Sequence, residues 1–209
     1  GSLMVGMTSG AFWGVGAVYA SELGLSVANI ALFMAVVIFG GILLQWPLGW
    51  LSDRIPRQRV IAGVSLAAAF VSLALLIVGA DGFNRFMLLS LLFGGLSLPL
   101  YSILCAYTND HVPNEDMVRA SSVLILVYGV GAILGPIAGG IMLSALGSSG
   151  FFTLQTMVFV GLGSYAFRLE VVSPEAVSEE SVPTVPMPSR PSPLAAVAVA
   201  ETMQDALEE

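Results

Sequence analysis

The chain has 209 residues, 56% of them hydrophobic and only 10% charged, and its mean hydropathy is +0.91. An ordinary soluble domain carries roughly a quarter charged residues, so a water-soluble globular enzyme and a disordered protein are both excluded before any motif is read. Its 7 Arg, absent Lys and 14 Asp plus Glu give a net charge of −7, which offers no electrostatic footprint for DNA or RNA.

Six stretches are free of Asp, Glu, Lys, Arg and His: 3–20, 30–51, 60–80, 86–107, 120–146 and 151–167. About 20 residues at 1.5 Å each cross a hydrocarbon core of ~30 Å. Six such runs leave nothing from which to build a soluble shell, and in lipid the backbone must satisfy its own hydrogen bonds. The predicted fold is therefore all-α, a six-transmembrane-helix bundle over residues 1–168. Apolar residues run continuously instead of alternating, which excludes a β-barrel.

The first run has no basic n-region and carries Gly6, Gly10, Phe12, Trp13, Gly14 and Gly16 along its length, so it is not a secretory signal. The second run ends in Gln45, Trp46, Pro47 and Gly49, and a short loop follows with Asp53, Arg54, Arg57 and Arg59. Ser97 and Tyr101 fall at mid-depth in the fourth run, and His111 follows it as a lone loop histidine with a surface or capping role. Glu115 and Asp116 are expected in the first turn of the fifth helix, favoured by its dipole, with Glu115 spaced for an i, i+4 pair with Arg119. The fifth run holds Tyr128 and then Gly131, Gly135, Pro136, Gly139 and Gly140. Glycines at i and i+4 strip one helix face and admit a close neighbour, while Pro136 removes a backbone hydrogen bond and permits a kink.

Short loops make consecutive helices antiparallel neighbours. With six spans, Arg54, Arg57, Arg59, Arg119, Arg168 and Arg190 share one side, and Arg85 stands alone on the other. The positive-inside rule then places both termini in the cytoplasm, and in a bacterium the bilayer is the inner membrane. Residues 169–209 hold 8 acids and six prolines, from Pro174 to Pro193, and are expected to form a disordered acidic Pro/Ser/Glu-rich cytoplasmic tail. Ala196, Ala200, Met203 and Leu207 fall at helical spacing near its end, where a solvated tail is the favoured reading and a short transient helix the alternative.

Trp13, Gln45, Ser97, Tyr101 and Tyr128 are the candidate substrate-cavity residues, each with packing or interfacial anchoring as the alternative. An ionisable group at mid-membrane depth is the usual mark of a proton relay, and these runs contain none. The single cysteine, Cys105, is expected as a packed thiol, and neither a metal nor another cofactor is expected. With no hydrolytic constellation either, the chain reads as a non-enzyme.

Gly49-x-x-x-Asp53-Arg54-x-x-Arg57, continuing to Arg59 at the end of a second helix, resembles the loop 2–3 signature of the major facilitator superfamily. It departs from that signature in having Pro56 where glycine is usual and Gln58 in a basic slot. Gly131-x-x-x-Gly135-Pro136-x-x-Gly139-Gly140 is similar to a fifth-helix signature that the superfamily associates with proton-coupled antiporters. Gly40-Gly-Ile-Leu43 with Pro47, against Gly131-Ala-Ile-Leu134 with Pro136, is the echo an inverted three-plus-three helix repeat leaves.

The resemblance covers residues 1–168 and implies secondary active transport of a small molecule by alternating access. In that family two six-helix halves rock around a central site. This chain would supply one half, favoured as the C-terminal one and resembling uncharacterised bacterial permeases, with the N-terminal half missing. Its partners would then be the lipid bilayer, a small-molecule substrate and that other half. Gly49, Asp53, Arg54, Arg57 and Arg59 would form a gating loop, Asp53 steadying one conformer against the other half. The glycine–proline pattern and the apolar, aromatic cavity favour efflux over uptake. The alternative is a non-transport membrane scaffold acting through helix association and its acidic tail.

Overall fold

The computed structural model describes residues 1–79, 82–113 and 116–172, with only the backbone of 170–172. The expected acidic tail, 169–209, lies outside the described residues from 173 onward, as does the Glu115–Arg119 pair.

Seven α-helices follow in order: α1 (Ser2–Glu22), α2 (Val27–Ser52), α3 (Arg57–Val78), α4 (Phe83–Ser97), α5 (Leu100–His111), α6 (Met117–Leu146) and α7 (Ser149–Val172). Six spans result, because α4 and α5 together make one apolar stretch, Phe83–His111. Each span is long and apolar enough to cross a membrane. The ends follow local chemistry. The Ser26 side chain accepts a hydrogen bond from the Asn29 N–H to cap α2. Gly79 and Gly147, at φ of 53° and 62°, terminate α3 and α6 in a conformation that side chains disfavour.

Three expectations need correction. The fourth span, expected as one helix over 86–107, runs from Phe83 to His111 with its hydrogen-bond ladder interrupted at Leu98–Pro99: both residues keep right-handed helical dihedrals, but Pro99 has no N–H to offer the Gly95 carbonyl one turn back. The last helix passes the expected body–tail boundary at 168 and ends at Val172. Asp116 is the N-cap of α6 and makes no side-chain capping bond, so it does not sit in the first turn.

Glycine decides which helices meet. A Cβ on Gly6 or Gly10 of α1 would strike the Tyr128 or Ala132 carbonyl of α6, and one on Gly131 or Gly135 would strike the Leu3 or Met7 carbonyl of α1. The two backbones therefore interlock in parallel, each glycine receiving the other's main chain. Gly40 of α2 meets Leu91 of α4, and Gly94 of α4 meets Val37 of α2, in the same parallel sense. Counting spans, these pairs are first with fifth and fourth with second. One becomes the other when spans one to three are exchanged for four to six. The remaining tight pair, α3 with α7, maps onto itself. The contact pattern thus has the symmetry of an inverted three-plus-three repeat.

The two ends differ. Tyr19, Phe33, Phe86, Phe151 and Phe152 close the end that holds the α1–α2 turn, with Tyr19 stacked on Phe151 at 4.9 Å and Phe33 on Phe86 at 5.3 Å. The opposite end, around residues 53–56, is held by polar groups. Between them Gln155 of α7 is fully buried and donates from Nε2 to the Thr8 carbonyl of α1 at 3.1 Å, leaving its Oε1 without a protein partner.

Candidate functional site

The tight turn between α2 and α3 positions the charged signature. α2 ends at Ser52, Asp53 caps it, and Arg57 opens α3 after Pro56. Asp53 and Arg57 are one turn apart, and Arg57 Nη2 reaches Asp53 Oδ1 at 3.3 Å. Arg57 also places Nε at 2.7 Å from Asp110 Oδ2, at the end of α5. The planar guanidinium suits this bridge, because its separate N–H groups address two carboxylates at once. Asp53 and Asp110 are 68% and 49% exposed, so the clasp is ionic, water-facing and easily remade.

The adjoining Gln58 side chain is buried and donates from Nε2 to the Tyr107 hydroxyl of α5 at 2.6 Å. Arg54 turns the other way and stacks its guanidinium 3.8 Å above the Trp50 ring. Arg59 lies one turn into α3 beside an apolar groove of about 230 Å³. A second cavity of about 120 Å³ opens above the clasp, lined by Gln45, Gly49, Asp53, Arg57, Pro99 and Ser102. A Cβ on Gly49 would meet nothing within 4 Å. Among the described residues no helix packs closely against Gly49; it fronts this cavity.

The five candidate substrate residues do not form one cavity. Tyr101 and Tyr128 are brought together across α5 and α6, ring centroids 4.6 Å apart. Ser97 is buried beside the helix break, Gln45 lines the cavity above the clasp, and Trp13 projects from α1 at 57% exposure. The fifth-helix glycines divide as well. Gly131, Gly135 and Gly139 face α1, and Pro136 seats against Gly14, whereas Gly140 faces open space. Their demonstrable role is packing within the six-helix unit. His111 accepts its expected minor part, its Nδ1 lying 2.7 Å from the Tyr107 carbonyl.

Asp110, Tyr107 and the contact made by Gln58 were not expected from sequence. The signal was nonetheless present. Two spans, an even number, lie between residues 53–58 and residues 107–111, which puts both segments at the same end of the bundle, and Tyr107 and Asp110 are three apart on one helix face. No group of three or more metal-ligating side chains occurs among the described residues.

Comparison with known proteins adds a lineage to this geometry. In Escherichia coli, strains K12 / DH10B and O157:H7 EC4115 each carry a protein described as "Uncharacterized MFS-type transporter YcaD". Each is 32% identical to this chain over 136 residues, covering 65% of this chain and 34% of the relative. The matched stretch is thus about a third of the length of these relatives. No solved structure matches the chain. The sequence pattern of the Major Facilitator Superfamily matches residues 1–203. Six apolar spans and that match together make the chain an integral membrane protein that belongs to the Major Facilitator Superfamily.

Proposed function

We propose that this chain acts as one six-helix half, the C-terminal one, of a secondary transporter that moves a small molecule by alternating access. The observation that carries the reading is the clasp: Asp53, Arg57 and Asp110 join the loop after the second span to the end of the fourth. A charged, solvent-facing link between two spans is cheap to break and remake, as a gate at one face must be. In this reading Gly49, Asp53, Arg54, Arg57 and Arg59 are the gating loop. The 120 Å³ cavity above it receives a helix end of the other half.

Tyr101 and Tyr128 supply an aromatic, weakly polar contact surface. They and the lack of Asp, Glu, Lys, Arg and His in the six apolar runs favour a lipophilic solute leaving the cell. Proton coupling, where it operates, then belongs to the other half. The arginine-rich end lies in the cytoplasm, the membrane is the bacterial inner one, and the acidic tail extends from the same side. The relatives named as transporters support transport in general.

The test uses the complete protein. A panel of lipophilic and polar compounds is screened for thermal stabilisation, and flux of the best binder is followed in proteoliposomes. Asp53→Asn is expected to lower flux at least tenfold while leaving binding within threefold. Undiminished flux would remove the gating role, and no flux of any stabilising compound would remove the transport reading.

A further inference from the structure

We infer that α5 is a hinged segment held shut by Gln58 and Tyr107, positioning residues whose hydrogen bond ties the clasp to the Tyr101–Tyr128 pair. The consequence for flux rests on the transport reading above; the hinge itself does not. The hinge is the break at Leu98–Pro99. Leu98 still donates to the Gly94 carbonyl at 3.1 Å and Ile103 to the Pro99 carbonyl at 3.1 Å, so helical bonding resumes on both sides. Between them Pro99 supplies no donor, so the Gly95 carbonyl drops out of the ladder, while Gly94 and Gly95 themselves are held against α2, which places the give after them.

Beyond the hinge α5 is only twelve residues long. Leu100 and Ile103 anchor its near end in the core. At its far end two links reach α3, Gln58 to Tyr107 at 2.6 Å and Arg57 to Asp110 at 2.7 Å. They are unequal. The Arg57–Asp110 pair faces water and is screened by salt. Gln58 is only 7% exposed, and a buried amide that loses its partner is costly until water reaches it. The neutral bond is therefore the one that sets how often the segment opens, and the ion pair follows.

The same twelve residues carry Tyr101 in their first turn, against Tyr128 of α6, and Asp110 in their last. A tilt of α5 about Pro99 thus changes the ring contact and the clasp together. Cys105 lies between them, half-buried, and is the chain's one cysteine, so it reports the motion without an added label site.

The rate at which N-ethylmaleimide modifies Cys105 in the detergent-solubilised complete protein, on a background with any other native cysteines replaced, reads the opening. Gln58→Leu and Tyr107→Phe are each expected to raise it roughly fivefold, the population shift of one net hydrogen bond. The double variant should be no faster than either single one, because both remove the same bond. Gln58→Glu, whose carboxylate would accept from the Tyr107 hydroxyl where the parent amide donates to it, should stay within twofold of the parent. Added NaCl should accelerate Gln58→Leu and leave the parent unchanged, since only the variant then relies on the ion pair. A merely structural role would give additive rates and no salt dependence. That result, or unchanged rates in both single variants, overturns the latch. Labelling needs no substrate, so the two readings fail separately: faster labelling with undiminished flux would keep the latch and overturn its coupling to transport.

Discussion

Arg57 sits between two carboxylates that do not otherwise meet, and its value lies in reach instead of binding strength. Both partners are well exposed, and exposed ion pairs contribute at most about 1 kcal/mol. Arg57→Lys is therefore expected to leave thermal stability nearly unchanged. Flux should fall all the same, because one ammonium cannot span the positions that Nε and Nη2 occupy. A loss of melting temperature parallel to the loss of flux would instead assign Arg57 to the scaffold. Gln155 poses the opposite case. It is buried in the middle of the bundle, with one bond made to Thr8 and one oxygen unpartnered. Hydrogen bonds between membrane helices average only about 0.6 kcal/mol, so Gln155→Leu, similar in volume, should change stability by less than about 1 kcal/mol. Gln155→Glu should cost several times more by burying an acid with no cation beside it. Denaturation of the two variants in detergent checks this order. At this scale the sequence is half legible: it marks Asp53 and Arg57 as signature residues but does not pair them with each other, and Asp110 becomes visible only once two spans are folded side by side.

The helices were legible because their cause is local. A charge-free run of about twenty residues has no other stable state in lipid, and every expected run but the fourth, which α4 and α5 share, lies almost wholly inside one observed helix. What the runs did not reveal is which proline breaks its helix. Pro47 and Pro136 lie inside continuous α2 and α6, while Pro99 divides the fourth span. The difference is the residue four positions back, whose carbonyl the proline leaves without a donor: Leu43 and Ala132 in the first two cases, Gly95 in the third. Gly95 is the poorest helix former of the three, just where the ladder is interrupted, and hydropathy alone does not register that coincidence. Glycine spacing was informative in the same partial way. It announced a close approach but named no partner, and the structure pairs Gly131, Gly135 and Gly139 with α1 and leaves Gly140 unopposed. Gly135→Val should then force α1 and α6 apart, at a cost of about 1–3 kcal/mol as overpacking. Gly140→Val, one turn and a neighbour away, should be close to neutral within this six-helix unit. Equal losses would mean that the signature's last glycine is buried against something other than α1.

The whole bundle repeats its own packing, first span on fifth and fourth on second, and that symmetry leaves α2 and α6 in equivalent places with most of their apolar surface outward. Phe39, Ile42 and Trp46 on α2, and Ile133, Ile137 and Ile141 on α6, are all more than half exposed. The four-residue echo in the sequence hinted at this relation; the interlocked glycines give it a physical basis. Charge, by contrast, breaks the symmetry. Arg54, Arg57, Arg59, Arg119 and Arg168 gather at the end that holds residues 53–56, and Arg85 lies at the other, beside the aromatic closure. A five-to-one bias among the described residues is the basis of the orientation proposed above, since basic loops tend to be retained on the cytoplasmic side. The expected outcome is specific to two positions at opposite ends. In the complete protein with its native cysteines replaced, a membrane-impermeant maleimide should label Val27→Cys from outside intact cells. Ile55→Cys should react only after the cells are opened. Both positions are solvent-reachable, Val27 at 84% and Ile55 at 39% exposure, so silence at either reflects sidedness and not burial. Labelling of Ile55→Cys in sealed cells would turn the bundle over. The clasp would then face the outside, and the cavity above it would gate entry of solute from that side.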